Sequence, residues 1–253
     1  MIEVVMIGCA AFLAGLVDAV VGGGGLIQVP VLFSLFPKEV PATLLGTSKF
    51  AGIFGTGAAA VNYARKVRVA WSAAAPAALA AFCLSFAGAY TVTKVPADFF
   101  RALLPLVLIG VAIYTFRKKD FGSIHAPVHS GSAERWFAVG MGAAIGFYDG
   151  FFGPGTGSFL MFLFVRFFGF DFLSASAAAK VVNVACNLSA LMWFGYSGHI
   201  LWLLGGLMAL CQVAGSLVGT RLAIKHGSQF VRKLFLVVVT LLICKTSYDA
   251  FLK

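Results

Sequence analysis

The sequence predicts an all-α integral membrane protein of two inverted repeats, each with three full transmembrane helices plus a glycine-broken helical hairpin. Three observations carry this. The 253 residues are 60% hydrophobic and 11% charged, whereas a soluble domain carries about 25% charged residues. Apolar stretches near the ~20 residues of a bilayer-spanning helix recur from end to end. The chain also matches itself at a constant offset of 131 residues.

The first apolar run, Ile2–Val21, ends in the glycine cluster "GGGGL" (22–26) and resumes as the short run Leu26–Phe36. Thr43–Tyr63, Val69–Val92 and Phe99–Phe116 follow as full-length runs. After a polar linker, "RKKDFGSIHAPVHSGSAER" (117–135), the order recurs. Trp136–Phe152 breaks at "GPGTGS" (153–158), then come the short run Ser158–Phe168 and the runs Leu173–Phe194, Ile200–Ala223 and Phe230–Phe251. No run alternates with period two, so a porin-like barrel is excluded.

The offset aligns Gly15 with Gly146, Asp18 with Asp149, Gly22 with Gly153, Gly24 with Gly155 and Lys49 with Lys180. It goes on to align Trp71 with Trp202, Ser85 with Ser216, Gly88 with Gly219, Arg101 with Arg232 and Thr115 with Thr246. Apolar coincidences mean little in such a composition, but Gly, Asp, Lys, Trp and Arg in one register do not arise by chance. The repeats are read as 1–122 and 132–253, together one membrane domain, with the linker overlapping their junction.

Charge chooses between parallel and inverted repeats. If each broken segment is a hairpin returning to its starting side, each repeat crosses an odd number of times and the second is inverted. One side then collects twelve basic residues and the other four (Lys38, Lys94, Arg101, Lys253). A parallel arrangement gives eight against eight. Cytoplasmic loops are enriched in Lys and Arg, so the inverted reading is favoured, with termini outside and the linker cytoplasmic. The same clustering accounts for the net charge of +10. No basic stripe with interleaved aromatics points to nucleic acid.

Five cysteines lie in apolar runs without a CxxC pair and read as packing residues, with no metal or cofactor expected. The start "MIEVV" has no basic n-region, so no cleaved signal peptide is expected. His125 and His129 flank Pro127 in a loop-like linker, so no metal site is expected there. His199 and His226 fall at helix ends. Tyr63, Trp71, Trp136, Trp193 and Trp202 sit near span ends, where aromatic belts form.

The glycine breaks carry the functional reading. Lipid-exposed breaks are excluded because an unpaired backbone group in hydrocarbon costs several kcal/mol. Broken helices at matching positions of inverted repeats mark secondary transporters, whose site lies at the midplane between the repeats. A short helix starting at each break presents N–H groups and partial positive charge, a natural anion site. Gly23, Gly24, Gly25, Gly155, Thr156 and Gly157 are the candidate contacts there. The competing reading is that the glycines serve close helix packing. Pro30, without a counterpart, is expected to kink the first short helix.

Two lysines in apolar runs sharpen the site, since an unpartnered membrane cation is costly. Lys180, Asn183 and Asn187 share one helical face at i, i+3 and i+7. The matching face carries Lys49, Gly52 and Thr56, beside Thr47 and Ser48. Lysine and amide donors facing two helix starts make a pocket for an oxyanion. The alternative is structural pairing within each repeat, Asp18 with Lys49 and Asp149 with Lys180. The two coexist if an anion takes the lysine from its aspartate, leaving Asp18 and Asp149 as proton-coupling candidates.

From the residues alone, the function is an anion transporter in a lipid bilayer. A passive anion channel is the near alternative. A membrane-embedded enzyme is the distant one, since the sequence holds no HExxH, GxSxG or Cys/His ligand set. Homo-oligomerisation is left open.

The segments "GLVDAVVGGGGLIQVP" (15–30), "LLGTSKFAG" (44–52), "GFYDGFFGPGTGSF" (146–159) and "AAAKVVNVACNLSAL" (177–191) resemble the TauE/SafE sulfite exporter family, also called the TSUP family. The likeness covers nearly the whole chain and is strongest to the YfcA-like branch. The family's usual Asn before the first lysine is Ser48 here. The resemblance implies a multi-pass permease of the bacterial plasma membrane, often an exporter, for sulfite, thiosulfate or organosulfonates, with proton coupling compatible.

Overall fold

A computed structural model describes residues 2–95 and 131–251. The helices there are α1 (Ile2–Val21), α2 (Gly25–Leu35), α3 (Pro41–Lys66), α4 (Trp71–Val92), α5 (Gly131–Phe151), α6 (Thr156–Phe168), α7 (Phe172–Tyr196) and α8 (Trp202–Phe251). No strand occurs among the described residues, and the chain is an all-α membrane protein. Spans long and apolar enough to cross a bilayer lie in α1, α4, α7 and the first part of α8. Helices α3 and α5 have 26 and 21 residues but are more polar, with Arg65 and Lys66 closing α3 and Glu134 and Arg135 near the start of α5. The expected span Phe99–Phe116, most of the linker, His125 and His129 lie outside the described residues.

Adding 131 to the bounds of α1 to α4 gives 133–152, 156–166, 172–197 and 202–223. These match α5, α6, α7 and the start of α8 within two residues. Helix directions follow from which residues meet. Gly46 lies against Phe194 and Gly52 against Asn187, so α3 and α7 are antiparallel. Phe50 meets Gly205 and Ser216 donates to the Gly55 carbonyl, so α8 runs with α3. Gly8 lies by Cys211 and Gly219 by Leu16, so α1 runs with α8. Gly142, Gly146 and Gly150 meet Ala77, Ala81 and Ser85, so α5 runs with α4. Ser189 donates to the Phe82 carbonyl and Trp193 packs on Tyr90, so α7 also runs with α4. Thus α1, α3 and α8 point one way and α4, α5 and α7 the other. Corresponding helices run in opposite senses, and α2 must return toward the end where α1 began.

Small residues make this packing possible. A Cβ on Gly15 would fall 2.2 Å from the Gln212 carbonyl oxygen, and one on Gly146 would fall 2.5 Å from that of Ala81. These matched glycines let α1 meet α8, and α5 meet α4, backbone against backbone. Matched serines do matched work: Ser85 donates to the Cys186 carbonyl and Ser216 to that of Gly55.

Several details depart from the sequence reading. Tyr63 is not a belt residue; it is fully buried and donates to the Ala19 carbonyl at 3.0 Å. Trp71, Trp136 and Trp202 are exposed, as a belt requires. Cys9 and Cys83 face outward rather than into the core, whereas Cys186 is buried. Within α8 the two runs expected after Ile200 are two helical stretches that meet at a break at Gly227, with φ 71° and ψ −169°. There Ser228 donates to Asp171, the N-cap of α7, at 2.6 Å.

Candidate functional site

The two helix breaks meet. Helix α1 ends when Gly22 adopts φ 77°, a conformation L side chains rarely adopt. Its carbonyl accepts from the Ser158 backbone N–H at 3.1 Å, and Ser158 Oγ donates to the Val21 carbonyl at 2.8 Å. A Cβ on Gly22 would fall 2.2 Å from the Gly157 carbonyl carbon. The second break is built differently. Gly153 and Gly155 flank Pro154 with φ 89° and 87°, and the Tyr148 hydroxyl donates to the Pro154 carbonyl at 2.6 Å.

Some of the first N–H groups of the two short helices already have partners. Leu26 and Ile27 donate back to the Gly23 and Gly24 carbonyls, Thr156 donates to that of Gly153, and Ser158 donates across the repeats. Gly24 serves packing, since its Cβ would meet the Ala14 oxygen at 2.5 Å. Gly157 packs in the same way on Gly22.

Beside the crossing lies a cavity of about 50 Å³, room for a few water molecules. It is lined by Asp18, Ser48, Lys49, Thr56, Asp149, Asn183, Asn187 and Gln212, with Gly24, Gly25, Gly155, Thr156 and Gly157 at the breaks. The sequence-predicted residues therefore converge, with three exceptions. Thr47 is turned away, donating to the Thr43 carbonyl and accepting from Leu201 N–H at 2.9 Å. Gly23 and Lys180 do not line the cavity.

The charge pairing also differs from expectation. Asp18 does not pair with Lys49, nor Asp149 with Lys180. The pairs cross between the repeats: Lys49 binds Asp149, and Lys180 Nζ stands 3.0 Å from Asp18 Oδ2. The antiparallel contact of α3 with α7 causes this, because it places each lysine beside the other repeat's broken helix. Lys180 also donates to the Asp18 carbonyl and is 1% exposed. Thr56 donates to Asp18 Oδ2 at 3.1 Å. Lys49 reaches the cavity, and a Cβ on Gly153 would meet its Nζ at 3.1 Å. Two lysines and two aspartates cancel formally; Lys49 lines the cavity, and Lys180 is enclosed away from it.

Gln28 and Gln212 escaped the sequence reading. Gln28 is 1% exposed, accepts from Gln212 Nε2 and donates to Ser48 Oγ at 3.3 Å. The available signal was an amide inside an apolar short helix. Among the described residues no cluster of His, Cys, Asp and Glu could hold a metal.

The family model described as Sulfite exporter TauE/SafE matches residues 7–246. A "Probable membrane transporter protein ORF9" of Sinorhizobium is 40% identical over 229 residues, covering 90% of this chain and 86% of the relative. The "Probable membrane transporter protein YfcA" of Escherichia coli K12 is 32% identical over 240 residues, covering 95% and 88%. A "Probable membrane transporter protein" of Haemophilus influenzae is 30% identical over 241 residues, covering 95% and 93%. No solved structure matches the chain.

Proposed function

This chain belongs to the sulfite exporter TauE/SafE family and is a membrane transporter rather than an enzyme, and we propose that it carries a small sulfur oxyanion or organosulfonate through the cavity at the crossed breaks. The observation that carries this is Lys49, buried yet lining the cavity, with Asp149 as its counter-charge. An anion entering beside Lys49 competes with Asp149 and adds negative charge to a neutral cluster. Protonating Asp149 eases both penalties: Lys49 is released to the anion, and one negative charge of the ligand is offset. Anion and proton therefore enter the site together. Asp18 and Lys180, the matching pair, offer the same exchange when the inverted repeats present the other face. We place the protein in the bacterial plasma membrane.

Thiosulfate tests the reading, because its own charge does not change between pH 5 and 8. Its affinity for the purified protein should rise as pH falls, and Asp149→Asn should flatten that dependence. Thiosulfate flux in proteoliposomes should follow a pH gradient. Flux that follows voltage and ignores the pH gradient would make the protein a passive anion channel instead.

A further inference from the structure

The cavity breaks the two-fold correspondence of the repeats on one side. Gln28, Ser48 and Gln212 correspond by the offset to Phe159, Ala179 and Ala81, so three linked polar groups face no polar equivalents. Helices α2, α3 and α8 each supply one of them. Gln212 Nε2 donates to Gln28 Oε1, and Gln28 Nε2 donates to Ser48 Oγ at 3.3 Å and to the Ser48 carbonyl at 3.5 Å. Gln212 and Ser48 line the cavity, while Gln28 stands behind them.

The chain of bonds has a direction. An amide oxygen only accepts and an amide nitrogen only donates. With Oε1 of Gln28 taken by Gln212, its nitrogen is the end presented to Ser48. Ser48 Oγ accepts that N–H, and its own O–H remains to be donated. Among the described residues, Ser48 Oγ has no other hydrogen-bond partner. A buried amide is costly unless bonded, which locks Gln28 in this orientation. We propose that Gln212 and Gln28 are positioning residues that fix Ser48 Oγ as a hydrogen-bond donor to an oxygen of the transported anion. This rests on the anion reading above.

The test measures thiosulfate dissociation constants by calorimetry on the purified full chain. Loss of a hydrogen bond to a charged group corresponds to roughly a ten- to hundredfold loss of affinity. Ser48→Ala should lose that much, and Ser48→Thr, which keeps the hydroxyl, should lose little. Gln28→Met should weaken binding comparably, yet add nothing in the Ser48→Ala background, because it acts through Ser48. Gln212→Met gives a second reading of the same non-additivity if Gln28→Met does not fold. Unchanged affinity in Ser48→Ala overturns the inference while leaving the anion site standing. Independent, multiplying losses from Gln28→Met and Ser48→Ala also overturn it. Failure of the wild-type chain to bind thiosulfate or sulfite removes the anion reading itself, and this inference falls with it.

Discussion

Lys180 Nζ lies 3.0 Å from Asp18 Oδ2, and its repeat counterpart Lys49 pairs with Asp149, so each ion pair joins one repeat to the other. Removing one partner of a buried pair strands a charge and costs about 3–5 kcal/mol, while replacing both is often neutral. Asp18 keeps 14% side-chain exposure, which places its loss toward the low end. Lys180→Met alone should melt well below wild type. Adding Asp18→Asn should recover most of the loss. Adding Asp149→Asn should not, because Asp18 and Lys49 are then both left unpaired. Thermal unfolding of the purified variants decides, and rescue by Asp149→Asn instead would restore pairing within repeats.

The glycines divide into two classes that a stability scan separates. Gly22→Ala and Gly157→Ala each drive a methyl into backbone, 2.2 Å and 2.6 Å from the nearest atom, and should prevent accumulation of folded protein. Gly57 and Gly140 are helical, with nothing within 4 Å of an added Cβ. Alanine there should be neutral or stabilise by about 0.5–1 kcal/mol. Detergent-resistant monodisperse protein from Gly157→Ala would contradict the crossing of the breaks.

Much of this arrangement was legible in the sequence, because Gly, Asp and Lys stand out against an apolar background and repeat at one offset. Lys49, Asp18 and Asp149 were found that way, and Asn183 and Asn187 by sharing the helical face of Lys180. An offset states which residues correspond, however, and not which residues touch. The crossed pairing follows from α3 lying antiparallel to α7, a tertiary fact that no periodicity encodes. Gln28 and Gln212 were missed because they have no counterpart to align. Thr47 was misplaced by proximity: one residue from Ser48 is about 100° around a helix, enough to aim it at the α7–α8 connection. Gly24 both packs on the Ala14 carbonyl and lines the cavity, and a glycine that faces a cavity and one that meets a carbonyl look alike in sequence.

Asp171 gives a pH signature outside the spans. Burial opposes its ionisation, but hydrogen bonds from Ser174, Ser228 and Leu173 outweigh burial and hold its carboxyl below the ordinary 3.8. A depressed carboxyl stabilises the fold fully above the unfolded value and loses that contribution as pH falls through the folded one. Thermal stability should therefore drop below about pH 3.8 more steeply in wild type than in Asp171→Asn. At neutral pH, Asp171→Ala should cost about 1 kcal/mol as a lost helix cap. Identical acid limbs for the two proteins would remove the tie between Asp171 and Ser228.

The helix directions place the end of α3, the start of α5, the start of α7 and the Gly227 break at one end of the molecule. Arg65, Lys66, Arg68, Arg135, Arg166, Arg221 and Lys225 gather there, against Lys38 and Lys94 at the other. By the positive-inside tendency this end is cytoplasmic. In a cysteine-free background, a cysteine at position 226 should resist impermeant reagent in intact cells. A cysteine at position 197, between α7 and α8, should react. The reverse pattern would turn the molecule over in the membrane.

The two lysines are not equal in this conformation, and anion affinity should separate them. Lys49 borders the cavity with one carboxylate partner, whereas Lys180 is enclosed and holds both the carboxylate and the carbonyl of Asp18. Comparing them fairly requires variants without stranded charge, which means Lys49→Met with Asp149→Asn, and Lys180→Met with Asp18→Asn. Both should fold, since each removes a whole pair. The first also removes the cationic contact to the anion, a loss of about 1.5–3 kcal/mol, or roughly ten- to a hundredfold in thiosulfate affinity. The second leaves Lys49 in place and should stay within a few-fold of wild type at equilibrium. Its transport rate should nevertheless fall, because the opposite-facing state then lacks its lysine. Equal affinity losses in the two double variants would mean that both lysines reach the anion in one conformation. That would require Lys180 to leave Asp18 before the anion arrives.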